Sequence, residues 1–304
     1  MRLTSIVVLV GLIILLGFWF GCQKPVKHYL HSPKKVPTSV LSPSPTEKHK
    51  EKKVSLKPLV KSIPKKPAAI KPVLPSINKP TLSEEPIISI IIDDFGNNQP
   101  SEEALIALPY PIAISVLPHL AFSKSMALKA AAEEKPVLLH LPVEAIHSNE
   151  YLGPGAIFTG MTKDEMIQII DGDLETVPGV DGVNNHLGSK GTTDPLVTET
   201  IVEEAKLHHL FVVDSLTAPY SILYLKAREA GVPEAERDVF LDNVMTEDAI
   251  TKQFEELISI AKKNGKALAI GHPYAATLHV LQAQLPKLTD EKIKIVPVTE
   301  YVNR

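Results

Sequence analysis

Ile87–Ile92 is a run of five isoleucines and one serine, apolar on both faces. Such a strand is stable only where both faces are covered, inside a barrel or a parallel sheet. The run ends in Asp93 and Asp94, and Gly96-Asn97-Asn98 follows as a turn. Adjacent strand residues point to opposite faces, so the two acids can share a side only if the strand ends there. Two carboxylates in that position are costly to bury unless something compensates them. Two readings fit: a metal ion with a catalytic partner, or a helix cap followed by a loop acid.

From Glu84 onward the pattern alternates strand and helix. Strands are predicted at Ile87–Ile92, Ile112–Leu117, Val137–Leu141, Gly182–His186, Leu210–Val213, Val239–Leu241, Ala267–Ile270 and Ile293–Val296. Between them, helices are predicted near Ser101–Leu108, Ser123–Glu134, Thr162–Thr176, Asp194–His208, Ser221–Ala230, Thr246–Asn264 and Ala275–Gln284. Thr162-Lys163-Asp164-Glu165 is a capping box, Asp194-Pro195 supplies a cap and a first-turn proline, and Gly231 and Gly265 close two helices. This is an α/β pattern of βα units with mainly parallel strands. Eight strands in about 220 residues suit a small, distorted (β/α) barrel over residues 86–304. No GxGxxG follows the first strand, which argues against a dinucleotide site. Asp93-Asp94, His119, His140, His186, Asp214, Asp242 and His272 all follow strands, at the end of the fold where such proteins build their sites. Each alone has a plain explanation as a hydrogen-bonded loop residue; together on one rim they suggest a site.

Five segments carry a resemblance: Asp93-Asp94 after the first strand; His140 in Leu-Leu-His-Leu-Pro-Val-Glu; Asn184-Asn185-His186-Leu187-Gly188-Ser189; Val213-Asp214-Ser215; and Ala269-Ile270-Gly271-His272-Pro273. In this order they resemble the divergent polysaccharide deacetylase family, a remote branch of the metal-dependent carbohydrate esterases that remove N-acetyl groups from chitin-like and peptidoglycan sugars. The resemblance spans Pro86–Val302. It implies a divalent metal, zinc by preference, held by Asp94, His140 and His186, with Asp93 as base toward the attacking water. It further implies His272 as the acid for the leaving amine, and Asp214 as the carboxylate that orients such a base or histidine.

The chain departs from the parent pattern in two places. Where the parent esterases carry His-x-x-x-His, this sequence has His140-x-x-x-Glu144. Either Glu144 is a further ligand, which would favour harder metals, or it binds nothing and His186 supplies the second nitrogen. The Arg-Pro-Pro-Tyr segment of the parent groove has no counterpart, so the sugar subsites are undefined. These departures keep open a second class of function, a catalytically silent glycan-binding or scaffold domain with the deacetylase fold. His119 reads as a polar group at a helix entry, and His208-His209 as helix-end chemistry with solvent. Tyr110, Tyr151, Tyr220 and Tyr274 are the candidates for stacking on a sugar ring.

The front of the chain is different material. Arg2 precedes an apolar run from Ile6 to Phe20, which Gly21 and Cys22 end. Residues 1–22 read as a signal peptide or signal anchor, since fifteen residues suit a secretory segment and fall short of the about 20 a spanning helix needs. Cys22, the only cysteine, allows no intrachain disulfide and stands where lipoproteins are processed. Lipidation, an uncleaved anchor and ordinary cleavage all deliver the remainder outside the cytoplasm, to the cell envelope, the first two with the membrane as a partner. Residues 23–85 form a Pro/Lys-rich tether. Within it Lys24–Ser83 holds eleven Pro and fourteen Lys against two Glu, a net +12, whereas residues 84–304 carry −16. An acidic domain argues against nucleic acid as the substrate, and envelope glycan is the expected partner. The tether lacks the apolar surface to offset ordering and favours extended polyproline II. Deleting Lys24–Ser83 should therefore leave the thermal unfolding midpoint of the domain within experimental error in calorimetry; a cooperative loss of stability would show that the segment packs on it.

Overall fold

The computed structural model describes residues 85–147 and 151–303. The expected leader and, but for Glu85, the tether lie outside the described residues. Among the described residues nine strands form one sheet: β1 (Ile87–Phe95), β2 (Ala113–Val116), β3 (Val137–Val143), β4 (Gly182–Leu187), β5 (Phe211–Asp214), β6 (Glu234–Glu236), β7 (Val239–Phe240), β8 (Lys266–Gly271) and β9 (Lys294–Ile295). Every pairing is parallel, in the order β6-β5-β4-β3-β2-β1-β8-β7, with β9 beside the start of β1. β6 and β7 occupy opposite edges, yet only Arg237 and Asp238 separate them in the chain. Three Cα–Cα steps reach at most about 11 Å. The sheet must therefore curl until its edges nearly meet, giving the distorted, unclosed (β/α) barrel.

Seven helices connect the strands: α1 (Pro100–Ile106), α2 (Ser123–Ala132), α3 (Lys163–Thr176), α4 (Pro195–Leu207), α5 (Leu223–Ala230), α6 (Glu247–Asn264) and α7 (Ala275–Gln284); the short α8 (Val298–Tyr301) follows β9. Their ends obey the sequence signals. Thr162 and Glu165 cap each other's backbone amides, Asp194 accepts from the amides of Leu196 and Val197, and Gly231 and Gly265 take left-handed C-cap conformations. β6 and α8 are additions that periodicity did not reveal. Three residues reading Glu-Ala-Glu and a four-residue helix are too short to show a pattern. Among the described residues no helix is long and apolar enough to cross a membrane.

Strand alternation sorts the core into two clusters. Ile88, Ile90 and Ile92 of β1 pack with Leu139 and Leu141 of β3 under the surrounding helices. Ile87 and Ile91 share the concave interior with Leu138, Phe211, Val213, Leu268 and Ile270, plugged by Val296, Val298 and Tyr301 of the C-terminal segment. The same alternation carries upward: Asp93 follows Ile91, His140 follows Leu138, and His272 follows Ile270 toward the carboxyl ends of their strands. A glycine is required on this inner face at 182, where a Cβ would come within 2.3–2.5 Å of the buried Phe211 ring. Overpacking of this kind costs about 1–3 kcal/mol. Gly182→Ala should lower the calorimetric melting temperature by roughly 2–4 °C for each kcal/mol lost in a domain of this size.

Candidate metal centre at the carboxyl end of the barrel

β1 resolves the problem of its adjacent acids with a bulge. Ile92 pairs with Ile114, but Phe95 pairs with Val116, so β1 carries one residue more than β2 across this interval. Within it Asp94 takes a left-handed backbone, φ 62°. A bulge re-aims side chains, and here it turns Asp94 toward the same site that Asp93 reaches by ordinary alternation. Glu102, fully buried on α1, accepts from the amides of Gly96, Asn97 and Gln99 and secures the loop that follows.

Three donor atoms converge. Asp94 Oδ1 lies 3.3 Å from His140 Nε2 and 3.1 Å from His186 Nδ1, and the two nitrogens stand 3.2 Å apart. Despite these approaches, Asp94 Oδ1 is buried without a hydrogen-bond partner of proper geometry. Ligands at about 2.0–2.1 Å around a tetrahedral ion stand about 3.3 Å from one another. The separations, the orphaned oxygen and the set of two imidazoles and a carboxylate all fit a zinc-like divalent ion. Burial opposes ionisation of Asp94, but the two facing histidines outweigh it and hold the carboxyl far below the usual range. Burial likewise opposes the charged form of His140, and the charges of Asp93 and Asp94 overcome it, raising its pKa.

Asn184 ties this triangle to Asp93. Its Nδ2 donates to Asp93 Oδ1 at 2.8 Å, while its Oδ1 accepts from Ser115 at 2.6 Å and stands 3.0 Å from His140 Nδ1. With Nδ1–H donating to Asn184, His140 presents the lone pair of Nε2 to the site. Asp93 Oδ2 is 3.6 Å from that same nitrogen. On the other side, His272 Nδ1 contacts Asp242 Oδ1 at 2.9 Å, leaving Nε2 3.8 Å from Asp94 Oδ2. Asp242 also accepts from the His272 amide and from Thr277. Burial disfavours the imidazolium, but Asp242, with help from Asp93 and Asp94, pushes His272 up to about 9.

One sequence-based assignment is corrected, and one open alternative is narrowed. Asp214 stands on the opposite face from Val213 and turns outward, accepting from Ser221, Leu216 and Tyr224; the carboxylate that orients His272 is Asp242. Asp242 was on the predicted rim without a role. Of the two readings of Glu144, the geometry fits the one in which it is not a ligand: its carboxylate accepts from Thr159 and Lys190, and His186 stands beside His140. Asn184 sat inside a recognised motif, but nothing in the sequence showed its partners. Away from the triangle, His119 contacts Asp173, a carboxyl that burial pushes up to about 8, and His208 contacts Asp171. Among the tyrosines, Tyr274 stacks on the His272 ring with centroids 5.6 Å apart, Tyr110 packs on the core, and Tyr151 and Tyr220 are largely exposed.

Residues 90–302 match the family model described as divergent polysaccharide deacetylase. The chain belongs to that family. The uncharacterized protein YibQ of Escherichia coli strain K12 is 34% identical over 216 residues, 71% of this chain and 67% of that protein. An uncharacterized protein of Haemophilus influenzae is 30% identical over 204 residues, 67% of this chain and 72% of its own. An uncharacterized protein of Agrobacterium tumefaciens C58 has a similar crystal structure, with a TM-score of 0.69 at 20% identity over 73% of this chain and 91% of that one. This last likeness is one of fold.

Because the carboxylates of Asp93 and Asp94 raise the pKa of His140 and the imidazole must be neutral to ligate, metal binding should release protons. Calorimetric titration with zinc at pH 7 in two buffers of different ionisation enthalpy should give heats that differ by the protons released. Affinity should strengthen with rising pH until His140 is neutral without metal. Equal heats in the two buffers would place the ion elsewhere.

Proposed function

We propose that this family member is a metal-dependent hydrolase that removes N-acyl groups, in the first instance N-acetyl, from cell-envelope polysaccharide outside the cytoplasm. The observation that carries the reading is the triangle of Asp94, His140 and His186 with Asp93 on one side and His272 on the other. Two imidazoles and one carboxylate suit zinc and leave room for water and substrate. When bound, such an ion supplies a water with its pKa lowered to about 7 and stabilises negative charge on the amide oxygen.

The chain's own residues handle the protons. Asp93 accepts the proton of the attacking water, held for that task by the amide of Asn184. The water oxygen bonds to the acyl carbon, the C–N bond breaks, and the acyl group departs as a carboxylate. His272 delivers the proton the leaving amine needs; Asp242 fixes its Nδ1–H and keeps Nε2 toward the site. A nearby divalent cation would draw the pKa of His272 down from about 9 toward neutrality, the range in which a general acid is effective. The apolar leader and the cationic tether, by composition, support export and a position at the membrane.

Two substitutions separate the roles. Asp93→Asn should keep the metal, measured by atomic emission on the purified full chain, and cut acetate release from N-acetylated glycan by roughly 10²-fold or more. Asp94→Asn should remove metal and turnover together. Turnover unaffected by Asp93→Asn would refute the base assignment. Wild-type protein that holds metal through Asp94 yet releases no carboxylate from any N-acylated glycan would be the silent glycan-binding form.

A further inference from the structure

A cavity of about 170 Å³ opens beside the triangle, with His186 in its wall. Leu117, Pro118, Leu120, Pro142, Leu152 and Pro154 supply most of its lining. The polar side chains on it are His186, Asn97 and the largely exposed phenol of Tyr151. An acetyl group needs room for a single methyl. At about 30 Å³ for a water- or methylene-sized group, this space holds roughly five or six. A sugar ring is a poor occupant, because each hydroxyl buried without a partner costs free energy and the wall offers few partners. The apolar part of an N-acylated glycan is its acyl chain.

We infer that the site takes an acyl group longer than acetyl, with an alkyl chain of about five or six carbons in the Leu117–Leu120–Leu152 cavity. This rests on the deacylase reading and changes its substrate class. The reaction remains the same hydrolysis, releasing a medium-chain carboxylate and the free amine. Burial of each additional methylene should improve affinity roughly three- to fourfold, until the cavity is full.

Alkyl hydroxamates test this, since their head group ligates zinc and their chain length is free. The zinc-loaded full chain is titrated calorimetrically with acetohydroxamate, butanohydroxamate, hexanohydroxamate and decanohydroxamate. Hexanohydroxamate should bind at least tenfold more tightly than acetohydroxamate, and decanohydroxamate should bring no further gain. Leu152→Trp, which fills the cavity from a loop, should erase the gain while zinc content and circular dichroism remain those of the wild type. Equal affinity along the series would overturn the acyl-chain inference and leave the metal-site reading standing. A gain that survives in Leu152→Trp would overturn it too, by placing the chain elsewhere. No binding by any hydroxamate to protein that holds zinc would overturn both readings.

Discussion

Everything at this site depends on two neighbouring carboxylates facing the same way at the end of a strand whose alternation forbids it. The bulge at Asp93-Asp94 removes the conflict. One extra residue opposite β2, with Asp94 in a left-handed backbone, rotates the second acid onto the side of the first. The cost of a non-glycine residue there is of order 1–3 kcal/mol, and it persists because the surroundings hold it. Five buried isoleucines anchor the strand below, and Glu102 binds three amides of the loop above. The strain thus falls on the residue that places a charge beside two histidines.

The next layer is a division of labour among hydrogen bonds. Asn184 satisfies Asp93 with its amide nitrogen, and its carbonyl oxygen lies within hydrogen-bond reach of His140, so one side chain sets the position of Asp93 and the tautomer of His140. Asp242 does the equivalent for His272. The two histidines are consequently tuned by different partners. Asp93 and Asp94 raise the pKa of His140, and Asp242 that of His272. Asp94 stands between them, 3.3 Å from one ring and 3.8 Å from the other, so loss of its charge would disturb both.

The apolar cavity beside His186 gives the site an asymmetry that the polar residues alone lack. The acids, the histidines and Asn184 form a polar cluster, whereas Leu and Pro side chains line the cavity next to it. The Leu152 part of this wall comes from an irregular segment after β3. Segments of that kind, carried on a rigid strand scaffold, are where specificity usually varies within a fold.

Much of this was legible in the sequence. The βα alternation, the capping box at Thr162 and the glycine caps gave the architecture, because they are local signals tied to backbone geometry. The order of the Asp-Asp, His140, Asn-Asn-His186 and His272 motifs gave the family. What only the tertiary structure decided were relations between distant strands. Asp242 and not Asp214 orients His272, because the two acids lie on opposite faces of the curled sheet and face parity depends on where each strand begins. Glu144, spaced like a ligand, is engaged by Thr159 and Lys190 from two separate connections whose approach no spacing reveals. The sequence alone determined which side chains were available to bind a metal and move protons. The curl of the sheet and one bulge determined which of them meet, since a donor's reach is a few ångströms in space and has no fixed separation along the chain.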